Sequence, residues 1–300
     1  FCEHNKIETL PVPMIQSLYS LYVHSFTSQS PFVSMKQQII LIIGLTKLFS
    51  TFRQQHEMEE AMRALFQIPS KHLSILTSDD EQAIARLGKH HVTLINTMRR
   101  LATIFKHLQR NKESIVNAHS RKNEMQISLR ALLKLWPNIS YVLKSHTKDD
   151  EVMEHTIRCL KHVIRQCPED YMQCQLFLPV FRQIIHLYCK VSTRSSFLYI
   201  LSIYLDEYAK HPEIVEMFSS ALYCISSATF KTAGNKEAFV EHAELIEDFY
   251  ELMRVYMKNC KKDMVVNHKN CMRWIFEMGM NGLTLHNVNA HVAVTSFYRH

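Results

Sequence analysis

Apolar residues recur every three or four positions along almost the whole chain, the spacing that lines one face of an α-helix. Met14, Leu18, Leu21 and Tyr22 make a first stripe. Val33, Ile39, Ile40, Ile43, Leu45 and Leu48 make a second, in a helix expected to start after Ser30-Pro31. Ala61, Met62, Leu65 and Phe66 make a third, expected to end near Pro69, because proline lacks an N–H and clashes with the preceding turn. Ser78-Asp79-Asp80-Glu81 offers a capping side chain followed by acids for a first turn. It predicts one long helix, carried by Ile84, Leu87, Val92, Ile95, Met98, Leu101, Ile104, Phe105 and Leu108.

Residues 110–124 are polar and read as a loop or a helix start. Met125, Leu129, Leu132, Leu133, Leu135, Trp136, Ile139 and Val142 then predict a helix kinked or broken at Pro137. Lys148-Asp149-Asp150-Glu151 opens the next, which must close before Pro168, since the residue ahead of a proline is pushed out of the helical region. Further helices are expected over 170–191, 195–209, 212–231, 237–260, 264–284 and 288–300. Taken in pairs, most of these units recur at roughly 40–50 residues, the period of HEAT and armadillo repeats. The expected fold is therefore all-α: an α-solenoid of HEAT-type antiparallel helix pairs, about six of them, filling residues 1–300 as one segment. In such a stack each pair touches only its neighbours and the whole presents an extended concave surface. A compact helical bundle is the plainer alternative.

Composition narrows the function. Glycine supplies the phosphate-cradling loops of nucleotide sites and the turns of β-hairpins, and this chain has 5 in 300 residues: Gly44, Gly88, Gly234, Gly279 and Gly282, none adjacent to another. A P-loop, a dinucleotide fingerprint, a kinase and a β-sandwich are excluded on that ground. Lys and Arg number 35 against 28 Asp and Glu, a net +7 that implies local basic patches, whereas a dedicated nucleic-acid domain gathers more charge on one face. Eight cysteines form no C-x-x-C pair. Cys159, Cys174, Cys189 and Cys224 lie in apolar helical stretches and read as small core residues of a reducing compartment. No signal peptide and no apolar run of roughly 20 residues is present, so membrane insertion is not expected. Both ends look cut from a longer chain.

Catalytic and metal chemistry find little support. His186 with Cys189 and His268 with Cys271 are H-x-x-C pairs that together would supply four zinc ligands, but they are two to three helical units apart. Neither a G-x-S-x-G elbow nor an H-E-x-x-H is present. No cofactor, metal or enzymatic activity is expected.

The helix over 151–167 carries the strongest segregation of charge. At about 100° per residue, His155, Arg158, Lys161, His162 and Arg165 share one side, while Val152, Met153, Ile157, Cys159, Leu160, Val163, Ile164 and Cys167 occupy the other. Glu151 and Glu154 lie on the basic side at the N-terminal end, where acids suit the helix dipole. Most basic stripes are only the solvated face of an amphipathic helix. This one concentrates three Arg/Lys and two His within eleven residues of a nearly balanced chain. Arg99-Arg100, Lys106, Arg110 and Lys112 are weaker runs expected to decorate the long helix, and Lys258, Lys261 and Lys262 to satisfy a helix end.

Leu135-Trp136-Pro137, Glu154 with Arg158-Cys159-Leu160-Lys161, and Phe197-Leu198-Tyr199 through Asp206-Glu207-Tyr208 resemble the transportin-SR branch of the importin-β superfamily. Leu101 to His107 is similar to the segment that precedes the Trp-Pro helix there, and relatives of the importin-thirteen kind share part of these words. The resemblance implies a HEAT-repeat nuclear import receptor, or karyopherin, shuttling between nucleus and cytoplasm. It implies a segment from the middle to C-terminal part of a longer receptor, with Ran contacted mainly by repeats N-terminal to it and nucleoporins among the partners. It also implies a cargo helix whose row of arginines receives the arginine–serine-rich segment of splicing factors. By position that row is His155, Arg158, Lys161 and Arg165; two of the four are arginine, and lysine lacks the planar fork arginine offers a phosphate. Glu151, Glu154, Asp206 and Glu207 are the candidate partners for cargo arginines, with Asp149 and Asp150 beside them. Two rival readings are a helical-repeat scaffold whose basic stripe is merely solvated, and a helical RNA-binding protein. The second would want aromatic rings among the basic residues, and the 155–165 face has none.

Overall fold

A computed structural model describes residues 12–27, 33–52, 54–108, 126–259 and 267–299. Its elements are α1 (Val12–Thr27), α2 (Met35–Phe49), α3 (Gln55–Leu76), α4 (Glu81–Arg86), α5 (His90–His107), α6 (Ile127–Ser145), α7 (Asp150–Gln166) and α8 (Pro168–Gln173). Then come α9 (Phe177–Lys190), α10 (Ser195–Tyr208), α11 (Pro212–Thr232), α12 (Lys236–Glu241), α13 (Ala243–Asn259), α14 (Lys269–Gly279) with a 3-10 turn (Met280–Thr284), and α15 (Val288–Tyr298). Among the described residues there is no strand, and no helix is long and apolar enough to cross a membrane. The fold is all-α, built of helical repeats.

Two compact units divide the chain: Phe1–Ser145 with Arg158–Asp170, and His146–Ile157 with Tyr171–His300. In the first, the helices form two rows. α1, α3 and α6 make one: Tyr22 donates its hydroxyl proton to the Leu65 carbonyl at 2.6 Å, and Arg130 of α6 pairs with Glu59 of α3 at 2.6 Å. α2, α5 and the C-terminal half of α7 make the other. Gln166 Nε2 donates to the Phe105 carbonyl, and Cys159 Sγ lies 4.0 Å from the Met98 carbonyl oxygen. The second unit repeats the scheme, α9, α11 and α14 in one row and α10, α13 and α15 in the other. Tyr188–Thr229 (2.6 Å) and Cys271–Ser226 (3.8 Å) tie the first of these rows, and the rings of Tyr250 and Phe297, 5.4 Å apart, fill the second. Packing of each helix on the next but one is what a stacked-pair repeat requires.

Local chemistry sets several boundaries away from their expected places. α2 starts at a capping box in which Ser34 N–H donates to Gln37 Oε1 and Gln37 N–H to Ser34 Oγ; the Ser30-Pro31 start expected for it lies outside the described residues. α3 does not stop at Pro69 but runs seven residues beyond it to Leu76. Leu65, Phe66, Leu73 and Leu76 on both sides of the proline are buried, and that burial outweighs one lost backbone bond. α6 likewise passes through Pro137, which sits on its exposed side. Of the first stripe only Tyr22 is buried, whereas Met14 and Leu21 are half exposed. The expected loop over 110–124, Met125, Lys261 and Lys262 lie outside the described residues.

The single long helix expected after Ser78 is two helices. Asp80 caps α4, its Oδ1 accepting from Ala83 N–H at 2.9 Å, and Gly88 then turns the chain with φ 98° before α5 begins. An L side chain is strained in that left-handed region. Gly88→Ala is expected to cost about 1 kcal/mol, read as a drop of a few degrees in melting temperature with helicity unchanged.

A basic face on one helical row

α7 begins at Asp149, whose Oδ1 accepts from Val152 N–H at 3.0 Å, and its first turn is held from α10 by Arg194, which pairs with Asp150 and donates to the Lys148 carbonyl. Its apolar side is fully buried as expected. The buried arc is wider than the sequence pattern shows, because the helix has neighbours on more than one side. Thr156, the one polar residue inside the expected apolar arc, is buried with it, its Oγ1 donating back to the Val152 carbonyl at 2.7 Å. His155, expected on the cargo face, is only 5 % exposed. What remains open is a narrow strip of Glu151, Glu154, Arg158 and Arg165, flanked by the half-buried Lys161 and His162. Arg158 and Arg165 are two turns apart, about 10 Å along the axis.

The row places further cations beside this strip. His162 is pushed down to about 4, first by burial and then by Lys161, Lys106, His107 and Arg158. His107 is also pushed down, by burial, Lys106 and Lys47. Lys47 belongs to α2, Lys106 and His107 to the last turn of α5, and the rest to α7, so the charges acting on these two imidazoles come from three helices of one row. Lys106 was legible in the sequence as a weak basic run; Lys47 and His107 became site candidates only once the row was known.

Arg100 departs from expectation. It is 7 % exposed rather than a surface decoration, donating through Nε (3.2 Å) and Nη2 to Gln38 Oε1, with its guanidinium 4.3 Å from the centre of the Phe26 ring. His72, in ring contact with Phe26, is driven down to about 4 by burial, then by Arg100 and Lys71.

The candidate acids divide between the helices. Glu151 and Glu154 are exposed on α7; Asp206 and Glu207 are exposed at the C-terminal end of α10, in the second unit, where Asp206 acts on Arg254. Sequence reasoning missed a denser acidic group on α13. Asp248 there is pushed up to about 7, by burial first and then by Glu247, Glu244 and Glu251, with a Ser195 hydrogen bond opposing. Among the described residues no three His, Cys, Asp or Glu side chains gather as metal ligands. His186 is exposed, Cys189 is half-buried in hydrogen-bonding contact with Cys224, and Cys271 turns its thiol to Ser226.

The titrations give the two units opposite pH responses. In the first, His72, His107 and His162 take protons near pH 6.5 when unfolded but only at lower pH when folded. Between about pH 6.5 and 4 the unfolded state thus binds more protons, and stability is lost as pH falls through that window. In the second, folded Asp248 holds its proton to about 7 against about 4 unfolded, so its contribution is lost as pH rises through that window. Hydrogen exchange, corrected for intrinsic rates, is expected to show α3 and α5 losing protection from pH 7 to 5 while α13 does not.

Residues 128–233, from the start of α6 to the end of α11, match the family model of the Transportin-3/Importin-13 fourth TPR domain. The match covers about a third of the chain, includes all of α7, and supports a karyopherin of the importin-β type, a family of transport receptors. It does not separate the two members that it names. TPR repeats, like HEAT repeats, are stacked antiparallel helix pairs.

Proposed function

We propose that this chain is a cargo-binding segment of a nuclear import receptor, and that the α7 strip receives a phosphorylated arginine–serine-rich segment of the cargo. The observation that carries the reading is the exposure of Arg158 and Arg165 on a helix whose apolar side is fully buried. A phosphoserine brings about −1.5 to −2 charge and three acceptor oxygens, which a guanidinium fork meets with two parallel bonds. In an extended peptide about three residues span the 10 Å between the two arginines, so successive phosphoserines of the repeat reach both. Lys161 adds a point charge, and His155, being buried, has at most an indirect part. Glu151 and Glu154, on the same helix, are the proposed acceptors for the arginines of such a segment; Asp206 and Glu207, on α10 of the second unit, are proposed acceptors in their own right. Ran, engaged mainly through other repeats, and nucleoporins complete the proposed partners, with shuttling between nucleus and cytoplasm. No direct part for nucleic acid is proposed, since the strip offers no ring for a base to stack on.

The test is a binding titration of the 300-residue chain with one arginine–serine peptide, phosphorylated and unphosphorylated. Preference for the phosphorylated form, weakening as salt rises, is the expected result. Equal or absent binding leaves the basic strip a solvated helix face.

A further inference from the structure

A cavity of about 440 Å³ opens where the turn between α8 and α9 meets the turn between α10 and α11, and every residue lining it belongs to the second unit. That volume lies in the range of ligand pockets, about 300–1,000 Å³. Most of the lining is apolar, with Met172 and Leu178 half-buried in it. The Phe177 ring is held in place by the buried rings of Tyr208, 4.8 Å away and edge-on, and Tyr204, 5.9 Å away and stacked. The His211 ring, also in the lining, lies 6.4 Å from that of Tyr208. Glu213, exposed in the first turn of α11, brings the one carboxylate, and no lysine or arginine lines the cavity. Among the described residues no ion pair engages Glu213. Lys210, one residue before His211, is exposed and outside the lining. The helix dipoles leave the sign of the site to Glu213, since α8 and α10 end at this corner while α9 and α11 begin there.

Apolar walls with one exposed carboxylate fit a long aliphatic stem that ends in a cation. The face of a ring attracts the same cation. Arginine suits this better than lysine, because a planar guanidinium stacks on a ring and donates to a carboxylate at once. We propose that this cavity takes an arginine side chain of a bound arginine–serine-rich segment. The stem lies against Met172 and Leu178, and the guanidinium meets the Phe177 ring and the Glu213 carboxylate. The proposal rests on the reading that the chain binds such a segment, but it does not depend on Arg158 and Arg165. It gives the cargo arginines a place of their own, as the α7 strip gives one to the phosphates.

The experiment measures binding of a phosphorylated arginine–serine peptide to the 300-residue chain, and of the same peptide with every arginine replaced by citrulline, which keeps the shape and removes the charge. Glu213→Gln is expected to weaken binding of the arginine peptide about fivefold, the limit that a solvent-exposed ion pair sets. It should leave binding of the citrulline peptide unchanged. Leu178→Trp, which puts a larger ring into the cavity and removes no charge, is expected to weaken the arginine peptide at least as much, with a melting temperature near wild type. If both variants bind the arginine peptide as wild type while Arg158→Ala with Arg165→Ala abolishes binding, the cavity is wrong and the α7 reading stands. If the arginine variant binds as wild type while Glu213→Gln weakens the arginine peptide alone, the α7 reading is wrong and the cavity stands. Glu213→Gln weakening both peptides equally overturns the proposal, because the carboxylate then acts through the fold. Tighter binding of a peptide with leucine in place of arginine overturns it too, because the cavity then takes an apolar side chain.

Discussion

Replacing both exposed arginines of α7, as Arg158→Ala with Arg165→Ala, is expected to weaken binding of a phosphorylated arginine–serine peptide about a hundredfold, with helicity and melting temperature close to wild type. Both residues are exposed, and the apolar side of α7 is buried without them. Solvent exposure alone limits a single ion pair to about 1 kcal/mol. A bidentate, charge-assisted bond to a phosphate that the bound peptide partly dries contributes about 1.5 kcal/mol or more. Two such bonds total about 3 kcal/mol, which is the hundredfold at roughly 1.4 kcal/mol per tenfold. The loss shrinks in high salt, because the contacts are coulombic and reachable by counterions. A double variant that binds within threefold of wild type at low salt makes the strip an ordinary polar helix face.

Phe105→Ala is expected to act in the opposite way, lowering the stability of the fold without removing a contact to the peptide. The ring is completely buried in α5, 5.1 Å from the Phe66 ring of α3, and the next turn supports α7 through Gln166 on the Phe105 carbonyl. Removing a buried phenyl ring costs about 3–5 kcal/mol, the lost transfer energy plus the cavity left behind. For a unit of this size that corresponds to a fall of about 10 °C in melting temperature. Peptide binding should decline only as the folded fraction declines, and be near normal well below the transition. A variant that melts like wild type would show that α5 is not packed on α3 as described.

The two variants separate what the sequence carries from what only the fold adds. Burial of α7's apolar side was legible because Val152, Met153, Ile157, Leu160, Val163 and Ile164 repeat at helical spacing with only Thr156 among them. Its boundaries were legible too: Asp149 is a capping side chain and Pro168 a stop. His155 was misplaced because a helical wheel knows one buried side, whereas a helix in a stack is covered from several, and residues at the edge of the stripe go inside. Arg100 was misread for a related reason. Its charge argued for the surface, but Gln38 thirteen residues after Ser25 and sixty-two before Arg100 supplies a buried acceptor that no local pattern announces. Pro69 misled in the other direction, since it is penalised by a local rule that long-range burial overrides. The action of Lys47 on His107, and of Lys106 on His162, was out of reach altogether, because it depends on α2, α5 and α7 being successive members of one row.

The central claim is that this face receives the phosphates of the segment. A phosphorylated arginine–serine peptide carrying a photoreactive group, cross-linked to the 300-residue chain and located by mass spectrometry, tests it most directly. The expected cross-links fall on residues 158–165 of α7 and 106–107 of α5 and vanish when the peptide is dephosphorylated. Cross-links that concentrate elsewhere, or that are indifferent to the phosphates, contradict it.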